Sequence, residues 1–215
     1  MDSLPLTGTR AGALGSAAMS WQRVPFVPEV TLLTADQPWD LWDATGQDAP
    51  PFWAFPWAGG QALARYVLDN PAIVRGRSVL DAASGSGLVA VAAAKAGAAA
   101  VTAADIDPDA LAAVRGNALA NRVPVTVRNL DMTCSQAGGA DVVLAADVFY
   151  QRELAAVALA FLRAAAAAGA TVLCADPGRA FVPRDRLVPV ASFEVPVLAV
   201  IEDNPVKTVT VYRLA

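Results

Sequence analysis

The chain of 215 residues contains no histidine, which removes Ser-His-Asp and Cys-His nucleophilic catalysis and the commonest metal ligand. Cysteine is nearly absent as well. Cys134 is expected in a loop after a strand and Cys174 in a buried strand; neither belongs to a metal-spaced cluster, so both read as reduced structural thiols and no metal is expected. Basic charge is scarce: 16 Lys and Arg against 20 Asp and Glu give a net charge of −4. That leaves no basic stripe to neutralise phosphates and argues against a nucleic-acid partner. Although 55% of the residues are hydrophobic, much of that is alanine. No run of about 18 large apolar residues exists to span a bilayer. A soluble protein acting on a protein or small molecule is expected, with acid-base work left to carboxylates, tyrosine or water.

The length suits one α/β domain with a single substantial core. Residues 1–20 are rich in Gly, Ala and Ser, with Asp2 and Arg10 among them, and match neither a secretory signal nor an arginine-rich transit peptide. They read as a disordered or non-native extension, with a start at Met19 as the simple alternative, and 21–215 as the domain. Arginine far outnumbers lysine, which occurs only at Lys95 and Lys207, and alanine is everywhere. That usage fits a GC-rich bacterial genome and a cytoplasmic protein.

Prolines at 25, 28, 38, 50, 51 and 56 predict loops over 21–56, with a short strand at 30–33. After Gly59-Gly60, Leu63, Tyr66 and Val67 recur at helical spacing and the pattern stops at Asn70-Pro71, predicting a helix over 60–69. Short apolar or β-branched runs bounded by turn residues predict strands at 78–81, 99–103, 125–128, 141–145 and 171–175. Helices are expected at 87–96, 108–121 and 151–168. Such alternation implies right-handed crossovers and a mostly parallel sheet covered on both faces, the seven-strand Rossmann-like arrangement. Extended runs at 188–200 and 206–214, joined through Glu202-Asp203-Asn204-Pro205, predict a C-terminal antiparallel hairpin.

The segment Asp81-Ala82-Ala83-Ser84-Gly85-Ser86-Gly87 closes the first of those strands and opens a helix. Small residues there let the backbone approach a ligand, and the helix N-terminus offers unpaired N–H groups. Read through Ala90, the turn also satisfies the dinucleotide pattern, with Asp105 twenty residues after Gly85 as a ribose acid, so a nicotinamide dehydrogenase is a real competitor. Three features favour S-adenosylmethionine. Asp81 places a carboxylate where an ammonium can be held, and a phosphate turn has no use for it. Asp105 and Ile106 supply an acid for both ribose hydroxyls and an apolar face for adenine. Asn129, after the next strand, can meet the adenine edge. Capping or loop roles would explain Asp81 or Asp105 taken singly. The expected cofactor residues are Asp81, Ser84, Gly85, Gly87, Asp105, Ile106 and Asn129.

Asp147-Val148-Phe149-Tyr150 follows the fourth parallel strand, at the switch point where open α/β sheets bind ligands. This segment, the block Pro51-Phe52-Trp53-Ala54-Phe55-Pro56-Trp57-Ala58-Gly59-Gly60-Gln61, the stretch Arg65-Tyr66-Val67-Leu68-Asp69-Asn70-Pro71, and Asp105-Ile106-Asp107-Pro108 and Asp176-Pro177-Gly178-Arg179 together resemble the lysine methyltransferases of the electron-transfer flavoprotein β-subunit. The resemblance runs from about Pro50 to Arg179. It implies the seven-strand fold, S-adenosylmethionine as methyl donor and a protein lysine as acceptor, with that β-subunit as first-choice partner. By the same comparison Asp147 and Tyr150 take the catalytic positions and Trp57 lines the cofactor pocket. Trp53, Phe149 and Arg179 are candidate substrate contacts, although core packing at the strand end for Phe149 and Tyr150 and a loop-anchoring salt bridge for Arg179 stay open. The chain departs from the resemblance at Ala82-Ala83, where Leu-Gly is usual, which bears on turn geometry rather than chemistry. Another protein substrate such as a ribosomal stalk protein, or an inactive cofactor-binding interaction module, are the other readings.

Overall fold

The computed structural model describes residues 19–37, 41–43, 50–197 and 204–215. Most of the expected N-terminal extension (1–18) and the Glu202-Asp203 part of the hairpin link lie outside the described residues.

A seven-stranded sheet organises the chain. In chain order its strands are β3 (Ser78–Ala82), β4 (Ala100–Asp105), β5 (Thr126–Asn129), β6 (Val142–Ala146), β7 (Thr171–Asp176), β8 (Leu187–Pro196) and β9 (Val206–Leu214). Their spatial order is β5-β4-β3-β6-β7-β9-β8. The first five are parallel, and β9 lies antiparallel between β7 and β8. The expected hairpin is therefore present, but its second strand returns into the sheet rather than forming the edge. The helices are α1 (Ala58–Asp69), α2 (Leu88–Lys95), α3 (Pro108–Ala120) and α4 (Arg152–Ala167). No helix among the described residues is long and apolar enough to cross a membrane.

Side chains alternate across the sheet with period two, so one strand feeds two cores. Val79, Val142 and Leu144 face α1 and α2, while Leu80, Val143 and Ala145 face α4. The alanines have a packing purpose. Ala62 and Ala64 on α1, with Ala90, Ala92 and Ala93 on α2, are fully buried, and their small volume lets these two helices meet closely.

In the proline-rich N-terminal stretch the short strand expected at 30–33 is present but longer, and the loop expected before it is a second strand. Two strands form there, β1 (Met19–Val24) and β2 (Val27–Ala35), paired antiparallel. The residues expected to end a disordered extension, Met19 and Ser20, pair with Ala35 and Thr34. The register shifts between Arg23, opposite Thr31, and Val24, opposite Val27, so Pro28 falls in an irregular stretch where its missing N–H costs no ladder bond. Side chains of α3 and of its C-cap hold β2 in place. Asn121 accepts from Thr31 N at 3.0 Å, and buried Asn117 accepts from Leu33 N at 2.9 Å while donating to Ser86 O at 2.8 Å. One asparagine thus ties the added hairpin to the glycine turn.

Candidate active site

The carboxyl ends of β3, β4 and β6 open onto one cleft of about 820 Å³, which is of the size that holds a nucleoside-sized ligand. Its floor is the turn after β3. Ala83, Gly85 and Gly87 all take positive φ, at 53°, 52° and 79°. Ala83 occupies a left-handed conformation that costs a residue with a Cβ about 1–2 kcal/mol. The Ala-for-Gly departure seen in the sequence thus appears as local strain. Gly87 starts α2, where a Cβ would come within 3.1 Å of Val114.

Asp81 is buried at the end of β3, and its Oδ2 accepts from Ser84 Oγ at 2.5 Å and Ala90 N at 3.0 Å. Burial pushes its pKa up to about 7, with the Asp105 charge adding to the rise and the two hydrogen bonds opposing it. Asp105, at the end of β4, accepts from Gly85 N at 2.9 Å and Asp107 N at 3.0 Å. Burial raises its pKa as well, against those bonds. Ile106 is 61% exposed on the cleft wall, an apolar side chain displayed to a ligand rather than to the core. Asn129 is not part of the lining: its amide donates to Ile106 O at 3.1 Å, so it fixes the loop carrying Asp105 and Ile106. The residues that follow it, Leu130 and Asp131 with Met132 and Thr133, take that wall.

At the other end, Phe52 sits between Trp57 and Tyr150, with ring centroids 5.6 and 5.4 Å away, and Trp57 donates to Phe52 O at 2.8 Å. Trp57, Trp53 and Tyr150 line the cleft. Burial raises the Tyr150 pKa, with a smaller push from the Asp105 charge. Phe149 is a correction. It is fully buried in the core beneath α4 and outside the lining, between Val148 and Tyr150, which both line the cleft.

Asp147 lines the cleft with a φ of 57°, a conformation that aspartate tolerates better than most residues. Its Oδ2 accepts from Gly60 N at 2.9 Å at the start of α1, and its Oδ1 pairs with Arg179 at 2.5 Å. The loop-anchoring alternative for Arg179 is therefore the arrangement present. Gly59, read in the sequence as a helix boundary and as part of the aromatic block, is what permits it. A Cβ on Gly59 would lie 2.5 Å from Asp147 Oδ2 and 2.8 Å from Ala175 O. Asp176, fully buried, accepts from the backbone N–H groups of Gly178 and Arg179, both at 2.7 Å.

Lining charge discriminates between the two cofactor readings. Asp81, Asp105, Asp107, Asp131, Asp147 and Glu153 face the cleft, against one guanidinium, Arg179. A pyrophosphate would meet this acid excess unfavourably, whereas a ligand carrying an ammonium and a sulfonium suits it.

The comparisons with known proteins agree with that chemistry. The architecture is shared with solved structures such as a Pyrococcus abyssi tRNA (uracil-54, C5)-methyltransferase in complex with S-adenosyl-L-homocysteine. The TM-score is 0.57 at 15% identity, over 92% of this chain and 44% of that one. A likeness of this kind establishes the fold alone, a class of seven-strand α/β sheet to which that methyltransferase also belongs. Within that class, the family model of ribosomal protein L11 methyltransferase (PrmA) matches residues 62–168. The chain is homologous to the electron transfer flavoprotein beta subunit lysine methyltransferases. It is 44% identical to the Mus musculus protein over 144 residues, 65% of this chain and 54% of that protein. Against the Xenopus laevis protein it is 40% identical over 161 residues, 73% of this chain and 65% of that protein. The chain thus spans between about half and two thirds of the length of these curated relatives.

Proposed function

We propose that the chain transfers a methyl group from S-adenosylmethionine to lysine side chains of a protein, with the electron-transfer flavoprotein β-subunit as first substrate. The observation that carries the reading is the convergence of Asp147 with the Phe52, Trp57 and Tyr150 rings at one end of a cleft whose other end presents Asp81 and Asp105. Asp81, Ser84, Gly85, Asp105, Ile106 and Trp57 serve the cofactor, and Asp147, Tyr150 and Trp53 the acceptor.

S-adenosylmethionine, when bound, supplies an electrophilic methyl group on a sulfonium. The acceptor amine must arrive neutral, although lysine's reference pKa of about 10.4 leaves roughly one in a thousand or fewer neutral at pH 7. Enclosure by Trp53 and Tyr150 desolvates the ammonium and favours the neutral form. Attack by the amine lone pair would form an N–C bond in exchange for the C–S bond, with S-adenosylhomocysteine as leaving group and the extra proton passing to water. Asp147 aims the amine rather than acting as a strong base, and alignment contributes much of the acceleration. Composition supports a bacterial cytoplasmic setting for this activity.

Incubation with labelled S-adenosylmethionine, purified β-subunit and, separately, a host lysate tests the reading. Intact-mass spectrometry should show increments of one methyl group on the β-subunit. Labelling confined to other proteins would remove that substrate and keep the chemistry. The match to the L11 methyltransferase family model makes a ribosomal protein the second candidate in that case.

A further inference from the structure

We propose that Arg179 keeps the acceptor lysine reactive by neutralising Asp147, so that the carboxylate can aim the amine without trapping it as an ammonium. This positioning role rests on the lysine-methyltransferase reading above. An acceptor site built around a bare carboxylate works against itself. An opposite charge within about 4–6 Å stabilises a charged group by roughly one to three pKa units, so an unpaired Asp147 would raise the pKa of the very amine that has to be neutral.

The geometry removes that conflict. Arg179 Nη1 lies 2.5 Å from Asp147 Oδ1 and 3.6 Å from Asp176 Oδ2, which is buried and has no hydrogen-bond partner. A guanidinium does not deprotonate in this pH range, so its charge opposes that of Asp147 throughout. The arrangement is fixed from several sides. Asp147 N donates to Ala175 O at 3.0 Å, Gly60 N holds Oδ2, and Asp176 Oδ1 holds the backbone of the loop that carries Arg179. The other charged or titratable groups facing the cleft are Tyr150 and the exposed Glu153 around the start of α4, Asp81, Asp105 and Asp107 at and after the ends of β3 and β4, and Asp131 after β5. The α1 N-terminus contributes partial positive charge at Gly60. Among the described lining residues, Arg179 alone carries a full positive charge at the acceptor end.

The test is the pH dependence of methyl transfer to purified electron-transfer flavoprotein β-subunit, from about pH 7 to 10.5. Here kcat reports ionisations in the complex, and kcat/KM those of the free species. In Arg179→Met the rising limb of kcat should move up by about one pH unit or more. The rate at pH 7.5 should fall tenfold or more and converge on wild type at the alkaline end, while the kcat/KM limb stays in place. Arg179→Lys, which keeps the charge, should return the limb most of the way. Asp147→Asn should move it down, whatever turnover survives. S-adenosylhomocysteine affinity by calorimetry identifies any variant that has not folded, and the Lys and Asn variants decide the matter if Met does not fold. A kcat profile lowered by a constant factor at every pH, or an Asp147→Asn limb that does not fall, would overturn the role of Arg179. A wild type that transfers nothing to the β-subunit would overturn the functional reading itself.

Discussion

Cofactor affinity should depend on pH in the neutral range because of Asp81. Before ligand binds, burial pushes this carboxyl up to about 7, so near pH 7 about half the molecules carry it protonated. An ammonium placed against the carboxylate favours the ionised form, so binding below pH 7 must expel a proton, at about 1.36 kcal/mol for each pH unit. The dissociation constant of S-adenosylhomocysteine, which carries the same ammonium, should rise about fivefold from pH 7 to pH 6, about tenfold from pH 8 to pH 6, and level off by pH 8. Calorimetry in buffers of different ionisation enthalpy reads the proton directly: close to one released at pH 6, about half at pH 7, almost none at pH 8. Stability runs the other way. A carboxyl whose folded pKa lies above its unfolded value contributes stability that is fully present below the unfolded pKa and is lost as pH rises through the folded one. From 3.8 to about 7 this amounts to at most about 4 kcal/mol for Asp81, and the raised Asp105 and Asp176 act in the same direction. The ligand-free protein should therefore melt lower at pH 8 than at pH 5.5, and ligand should protect it more at pH 8. A dissociation constant flat from pH 6 to 8, with buffer-independent heats, would refute the reasoning.

Other substitutions probe the scaffold. Gly59→Ala sets a gain in helix propensity of about 1 kcal/mol against a Cβ placed 2.5 Å from Asp147 Oδ2 and 2.8 Å from a backbone carbonyl. The clash should win by about 1–3 kcal/mol. Steady-state kinetics should show at least a tenfold loss of methyl transfer, with a smaller change in cofactor affinity. Ala83→Gly relieves a φ of 53° and should raise stability in urea titrations by up to about 1 kcal/mol, since the strain of about 1–2 exceeds the entropy cost of glycine. Asn117→Ala strands Leu33 N and Ser86 O, and should cost about 2–3 kcal/mol in urea while weakening S-adenosylhomocysteine binding through the loosened turn.

The parallel half of the fold was legible because each crossover writes two periods in succession. The strand expected at 171–175 is Thr171–Asp176, and the helix expected at 108–121 is Pro108–Ala120, opened by Asp107 accepting from Asp109 N. Of the N-terminal hairpin only the 30–33 part of β2, where burial alternates, was legible. β1 shows Trp21, Gln22 and Arg23 to solvent, and β2 carries Pro28 near its start in a register shift, so the rest lacks the clean alternation that marks a strand. What makes the hairpin stable is distant in sequence: Asn117 on α3 and Asn121 capping its end, about 85–90 residues on, bond to its backbone. Polar residues mid-helix give no sign of such a partner until the elements are placed.

The site divides along the same line. Asp81, Asp105 and Ile106 could be found because strand ends converge in an open α/β sheet, so consecutive acids at those ends must share a cleft. Phe149 and Asn129 went astray for a local reason. After a strand end the direction of a side chain depends on one or two φ values, and past the positive φ of Asp147 the Phe149 side chain lies in the core. The pairing of Asp147 with Arg179 lay beyond reach for the opposite reason, since it joins residues 32 apart through loops whose geometry is set by Asp176 and the bare face of Gly59. The sequence shows a carboxylate where an amine should be aimed, which taken alone is a poor device for delivering a neutral nucleophile. The fold adds the guanidinium that makes it workable. Asp147 and Arg179 therefore act as one unit, and the consequence is a double-mutant cycle far from additive: once Asp147→Asn is present, Arg179→Met should change kcat at pH 7.5 much less than it does alone.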